Sequence, residues 1–196
     1  MSDRSTILWR RLDMPGHEIA ELERAGDGWE LRGLALLAHE GQPCRLEYRI
    51  TCDAAWRTRS LRVHGQLGDR PVMRELTRDA RGAWEADGRA VAALHDCIDV
   101  DLGFSPSTNL LPIRRLRLAV GDRASVRAAW VRFPTLALEV LEQVYTRLGP
   151  DGYRYESAGG TFRRDLTVTD EGWVTEYPDF WRAEAMTGTN SARADA

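Results

Sequence analysis

The sequence predicts a mainly β protein, with one large antiparallel sheet curled like a roll or barrel around a single α-helix. Three observations point there. Apolar and polar residues alternate over most of the chain, short turn-forming clusters separate the alternating runs, and one segment alone repeats with the helical period. The 196 residues are enough for one domain with a sizeable core, expected over 1–187.

The first alternating run is Ile7 to Leu12, and the next is Trp29 to His39, after the turn signal Gly26-Asp27-Gly28. The clearest run follows: Cys44, Leu46, Tyr48, Ile50 and Cys52 alternate with Arg45, Glu47, Arg49, Thr51 and Asp53. That spacing gives a half-buried strand with one apolar and one polar face. Trp56 to Leu67, Val72 to Thr77, Ile98 to Leu102, Ile113 to Val120 and Val126 to Phe133 read the same way. Phe162 to Val168 and Trp173 to Tyr177 complete the set. Gly68-Asp69, Asp87-Gly88, Gly121-Asp122 and Asp170-Glu171-Gly172 supply turns between them. Short strands joined by short turns argue for a meander over βαβ units. The helix is expected near 135–148. Leu136, Leu138, Val140, Leu141, Val144, Tyr145 and Leu148 fall on one wide arc, with Pro134-Thr135 before them and Gly149-Pro150 after. So wide an apolar arc suits a helix enclosed by the sheet. Residues 188–196 are small and polar and are expected to form a disordered tail.

Composition excludes several function classes. With 30 acids, 27 bases and a net charge of −3, the chain lacks the basic stripe that nucleic acid requires. Every base is Arg, so Schiff-base and lysine-base mechanisms are excluded. Cys44, Cys52 and Cys97 match neither a zinc site nor a disulfide framework and suit a reducing compartment. No apolar run spans a bilayer, no secretory leader is evident, and a cytoplasmic protein without metal or cofactor is expected. Phosphate-loop, dinucleotide, zinc-protease and nucleophile-elbow spacings do not occur.

Three constellations could carry chemistry. In Cys97-Ile98-Asp99-Val100-Asp101, strand parity puts Asp99 and Asp101 on one face. Two such carboxylates can bind a cation, orient sugar hydroxyls or divide acid and base roles; a solvated strand face is the alternative. Downstream, Ser105 to Leu116 holds two prolines and Asn109 in an ordered loop feeding a strand. Arg114 has the parity of Leu116 and Leu118, so it should be ion-paired, with the Asp pair as candidate partner, or line a cavity. Around Glu47, Asp53, Trp56 and Arg57, an aromatic ring beside carboxylates suits a sugar, with Trp56 as plain core the alternative. Tyr153, Tyr155, Tyr177, Trp130, Trp173 and Trp181 suit core, pocket or subunit contact equally.

These segments together resemble a bacterial family of glycolipid-binding proteins, formerly a domain of unknown function. The resemblance runs through nearly the whole chain. It includes Trp9-Arg10, Pro15-Gly16-His17-Glu18, Leu46-Glu47-Tyr48, Cys52-Asp53, Trp56-Arg57-Thr58-Arg59 and Tyr177-Pro178. Its most specific part is Asp99-Val100-Asp101 followed by Thr108-Asn109-Leu110-Leu111-Pro112-Ile113-Arg114-Arg115-Leu116. The resemblance implies a curled sheet around a helix, a tight homodimer, a remote likeness to lipoprotein-carrier folds and an acidic pocket. Strand parity and motif match together place Glu47, Asp53, Asp99 and Asp101 in that pocket. The resulting expectation is a glycolipid- or sugar-binding protein, with Asn109 and Arg114 fixing ligand orientation. The alternatives are a hydrolase or isomerase using paired carboxylates, and a structural dimer without a small ligand.

Overall fold

The period-two alternation forms strands almost wherever it occurs. A computed structural model describes residues 4–188. The first half of the chain is a meander: β1 (Arg4–Arg11), β2 (Gly16–Ala25), β3 (Gly28–His39), β4 (Gln42–Cys52), β5 (Thr58–Leu67), β6 (Arg70–Arg78), β7 (Trp84–Ala86) and β8 (Arg89–Ala90). β9 (Asp99–Leu102) and the helix α1 (Leu110–Leu116) follow. A second meander closes the chain: β10 (Arg123–Arg132), β11 (Ala137–Arg147), β12 (Gly152–Ser157), β13 (Phe162–Val168), β14 (Val174–Tyr177) and β15 (Trp181–Thr187).

All fifteen strands belong to one sheet, in the order β8-β7-β6-β5-β4-β3-β2-β1-β15-β14-β13-β12-β11-β10-β9. Pairing of β1 with β15 joins the two meanders, and among the described residues only β9 against β10 is parallel. The sheet curls until its end meets its own first half: Thr58 N–H, at the start of β5, donates to Ile98 O at 3.1 Å. This curl gives the inward faces a common interior. Ile7, Trp9, Leu31, Leu46, Ile50, Leu61 and Val63 form its larger core, and Val126, Tyr145, Tyr153, Leu166 and Val174 a smaller one. α1 bridges the two, with Leu110 and Leu111 in the first and Ile113 in the second. Burial on this scale, at about 25 cal/mol per Å² of apolar surface, is the main force holding the roll shut.

Two expected elements exchange places. The segment 136–148, expected to be the enclosed helix, forms the strand β11. Its wide apolar arc is the two faces of a strand read together. Gln143 and Tyr145 point inward, while Leu138 and Val140 share the opposite parity. Val140, Val144, Tyr145 and Thr146 are β-formers, and Pro134-Thr135 belongs to the β10–β11 hairpin turn, where Leu136 N–H donates to Arg132 O at 2.7 Å. Conversely, the one α-helix among the described residues starts at Leu110, where a strand from Ile113 was expected. Pro112 cannot donate to a sheet ladder, but the first turn of a helix needs no N–H there. The expected tail lies outside the described residues except for Gly188.

Candidate ligand-binding cavity

Strand parity sets which side chains reach the interior at one end of the roll. On β1, Ile7, Trp9 and Arg11 point inward; on β2, Glu18, Ala20 and Leu22 do. On β9, Asp99 and Asp101 pair with the inward Ala128 and Trp130 of β10. The segment from Gly103 to Asn109 leaves β9 and runs through this interior towards α1.

A cavity of about 400 Å³ opens between these elements and β11, β12 and β15. Its buried floor carries Arg11, Ser105, Asn109 and Trp181, and the half-buried Asp101 stands in its wall. Half-buried Trp130, Phe162, Tyr177 and Phe180 rise towards the opening, with Tyr155 beneath them. These rings hold one another edge to face: Tyr155 with Phe162 (5.9 Å) and Tyr177 (6.2 Å), and Phe180 with Tyr177 (5.5 Å).

The polar groups differ in how far they are committed. Gln143 Nε2 donates to Asp101 Oδ2 at 2.9 Å and to Tyr155 Oη at 3.1 Å. Burial pushes the Asp101 carboxyl up to about 6, against the pull of the Gln143 hydrogen bond. Asn109 is fixed at both ends: Tyr145 Oη donates to its Oδ1 (2.9 Å) and its Nδ2 donates to Pro106 O (3.0 Å). Arg11 donates to both Asp13 oxygens at 2.7 and 3.0 Å and lies 5.1 Å from the Trp181 ring, leaving its buried Nη1 without a hydrogen bond.

Behind Ser105 lies a sealed network. Ser105 Oγ and Tyr48 Oη donate to Glu18 Oε1 at 2.5 and 2.6 Å, and Ser107 Oγ lies 2.7 Å from both hydroxyls. Glu18 Oε2 has no hydrogen-bond partner. Burial outweighs both hydroxyls and the Arg11 charge and pushes Glu18 up to about 8. Gly33, opposite Tyr48, makes room for its ring, since a Cβ there would sit 2.4 Å from it.

The expected site residues are thus only partly brought together. Asp101 and Asn109 line the cavity. Asp99 shares their interior but spends both oxygens on Arg115, which donates from Nε (3.1 Å) and Nη2 (2.6 Å). The partner of Asp99 is therefore Arg115, and that of Asp101 is Gln143. Arg114 turns away and lies 4.7 Å from the Trp56 ring, which stacks on Trp29. Trp56 is buried in the main core. Glu47 points to the outer face, ion-paired with Arg45 and 3.6 Å from His64. Asp53 Oδ1 accepts the Ala55 and Arg57 N–H groups in a turn, and the Arg57 side chain is exposed. Arg11 and Glu18 escaped the sequence reading, although each is a charged residue with the parity of its strand's apolar face.

Among the described residues, no helix is long and apolar enough to cross a membrane. Nor does any group of three or more His, Cys, Asp or Glu among them stand ready to hold a metal ion.

The sequence model of the family described as "Putative glycolipid-binding" matches residues 6–183. A crystal structure of a DUF1089 family protein from Pseudomonas aeruginosa is similar, with 36% identity and a TM-score of 0.76, over 84% of this chain and 90% of that one. No curated protein matches.

Proposed function

This chain belongs to the glycolipid-binding family, and on that premise we propose that its aromatic cavity binds the sugar head group of a glycolipid. One observation carries the reading: a carboxylate, a guanidinium with a spare donor and a ring-lined wall meet in a single cavity of about 400 Å³. Small-molecule pockets span roughly 300–1,000 Å³ and combine such walls with a few fixed polar groups. In the proposed pose the ionised Asp101 accepts sugar hydroxyls and the Arg11 guanidinium donates to a ring or hydroxyl oxygen. The C–H faces of the sugar stack on Tyr155 and Tyr177. Leu110, Leu111 and Phe104 already occupy the roll interior, so the lipid tail leaves over Phe162 and Phe180 instead of threading inward. The homodimer and the cytoplasmic location belong to the same proposal.

Titration calorimetry with octyl glycosides, using octanol as the tail-only control, tests the reading. A charged hydrogen bond contributes about 1.5–3 kcal/mol, so Asp101→Asn should weaken glycoside binding at least tenfold. Wild-type affinity should also fall as the pH drops below 6, because protonation removes the acceptor, while Asp101→Asn shows no such fall. Equal affinity of the two proteins, or no glycoside binding at all, overturns the assignment.

A further inference from the structure

Beyond the head-group cavity and independently of it, we propose that a second cavity, beside the C-terminal end of α1, binds a phosphate monoester. This cavity has a volume of about 340 Å³ and brings together Arg114, Arg117, Arg147 and Thr169, with the exposed Asp170 as its one carboxylate. Several arginines elsewhere, among them Arg11, Arg32, Arg59, Arg115 and Arg154, are ion-paired with acids. Among the described residues, the Arg114 and Arg117 side chains form no hydrogen bond and no ion pair.

The three guanidinium groups play different parts. Arg147 is scaffold: it donates to the carbonyls of Leu118 (2.8 Å), Pro150 (2.9 Å) and Gly149 (3.2 Å), which fixes a positive charge in the wall. Arg114 is half-buried and held against the stacked Trp56 and Trp29 rings, at 4.7 and 5.8 Å. Gly172, at φ +90°, leaves space for its stem, since a Cβ there would press on Ile113 at 3.2 Å and on Arg114 Cγ and Cδ at 3.4 Å. Arg117 ends α1 in the left-handed region (φ 46°) and is exposed. Burial of Arg114 and then the positive charge of Arg117 disfavour the charged form of Arg114, while Glu171 nearby opposes them only in part. An entering anion relieves that repulsion.

The donor set selects the anion. Two free planar forks suit an oxyanion with several acceptor oxygens, and a dianion answers the excess of positive charge better than a carboxylate. Thr169 Oγ1 accepts the Trp173 N–H at 3.2 Å, which leaves its own hydroxyl proton free to donate. Ile113, Val168 and Tyr153 line the rest of the cavity and leave room for an organic part beside the phosphate.

Calorimetry of the full chain with glycerol 3-phosphate and, separately, with dioctanoyl phosphatidate, at fixed ionic strength, tests the proposal. Saturable one-to-one binding is expected, weakened at least tenfold in Arg117→Gln and Arg114→Gln and unchanged in Arg154→Gln, since Arg154 is ion-paired with Asp165 and neither residue lines this cavity. Arg117 is exposed, so its variant keeps the test decisive even if loss of the Arg114 stacking disturbs folding. Equal affinity for the two ligands marks a soluble phosphomonoester as the source. At least tenfold tighter binding of phosphatidate marks a lipid head group. No saturable binding of either ligand, or binding retained in Arg117→Gln, overturns the site.

Discussion

At the scale of single residues, Glu18 is where the fold opposes the ordinary chemistry of a side chain. Its carboxyl has exchanged water for two hydroxyl donors on one oxygen and none on the other, and burial pushes it up to about 8. The proton it retains has a consequence for stability. Between the ordinary carboxylate value of 4.5 and about 8, the folded chain holds this proton and the unfolded chain has released it. Stability must then fall as pH rises through that window, and level off above it. Urea unfolding should show the wild type losing roughly 3–5 kcal/mol between about pH 5 and pH 9, relative to Glu18→Gln. The variant keeps an acceptor for Tyr48 and Ser105 but cannot ionise, so it should be close to the wild type at the acid end and the more stable protein at the alkaline end. Parallel curves would place the titrating group elsewhere. Ser105 lines the proposed head-group cavity and Glu18 does not, so Glu18 touches that cavity only through its hydrogen bond to Ser105.

At the scale of elements, α1 is clamped to β9 by one buried ion pair. Arg115 is 16% exposed and Asp99 1%, and both carboxylate oxygens are used. Removing one partner leaves the other charge buried, so Arg115→Ala should cost about 3–5 kcal/mol in chemical denaturation. Arg115→Lys should recover only part of that, because an ammonium cannot reproduce the two parallel bonds. A cost below about 1 kcal/mol would mean that water reaches Asp99 freely. The same clamp measures how far the sequence could be read. Alternation revealed most strands and the inward face of Asp99 and Asp101, since period two is a local signal. It missed β2 because Gly16–Ala25 carries Glu18 on its buried face, and Glu18 was lost with that strand; Arg11 lies on the inward face of β1, whose alternation was legible, but a charged residue there was not read as a site. Reading residues 113–120 as a strand also gave Arg114 the parity that belongs, on a helix, to Arg115. A one-residue rotation of the element thus exchanged the partner of Asp99 for a residue that stacks on Trp56. Which distant residues meet depends on the curl of the sheet, and no local period carries that.

At the scale of the whole molecule, the sheet leaves little edge and one broad outer face. Its terminal strands are short: β8 has two residues, and β9 has four and packs against the start of β5. Strand addition at an edge is therefore a poor route to a dimer. The outer face differs. Cross-strand register lines up Ala185, Leu8, Ile19 and Leu34 in one row, with Leu36 in the row beside it. Ile19 is 41% exposed and Leu36 51%. Exposed apolar side chains that adjoin in register form a patch, unlike scattered ones, and a patch on a two-fold axis covers itself. The proposed homodimer should accordingly pack face to face over β1–β3. Light scattering after size exclusion should give twice the 22.1 kDa chain mass, and Leu36→Glu or Ile19→Glu should halve it. Both substitutions add a charge at an exposed position, so the cost to the monomer fold should stay within about 0.5 kcal/mol. A wild-type monomer would remove the dimer from the proposal, and a dimer that survives both substitutions would move its interface off this face. Neither result touches the proposed head-group cavity, which faces the interior of the roll.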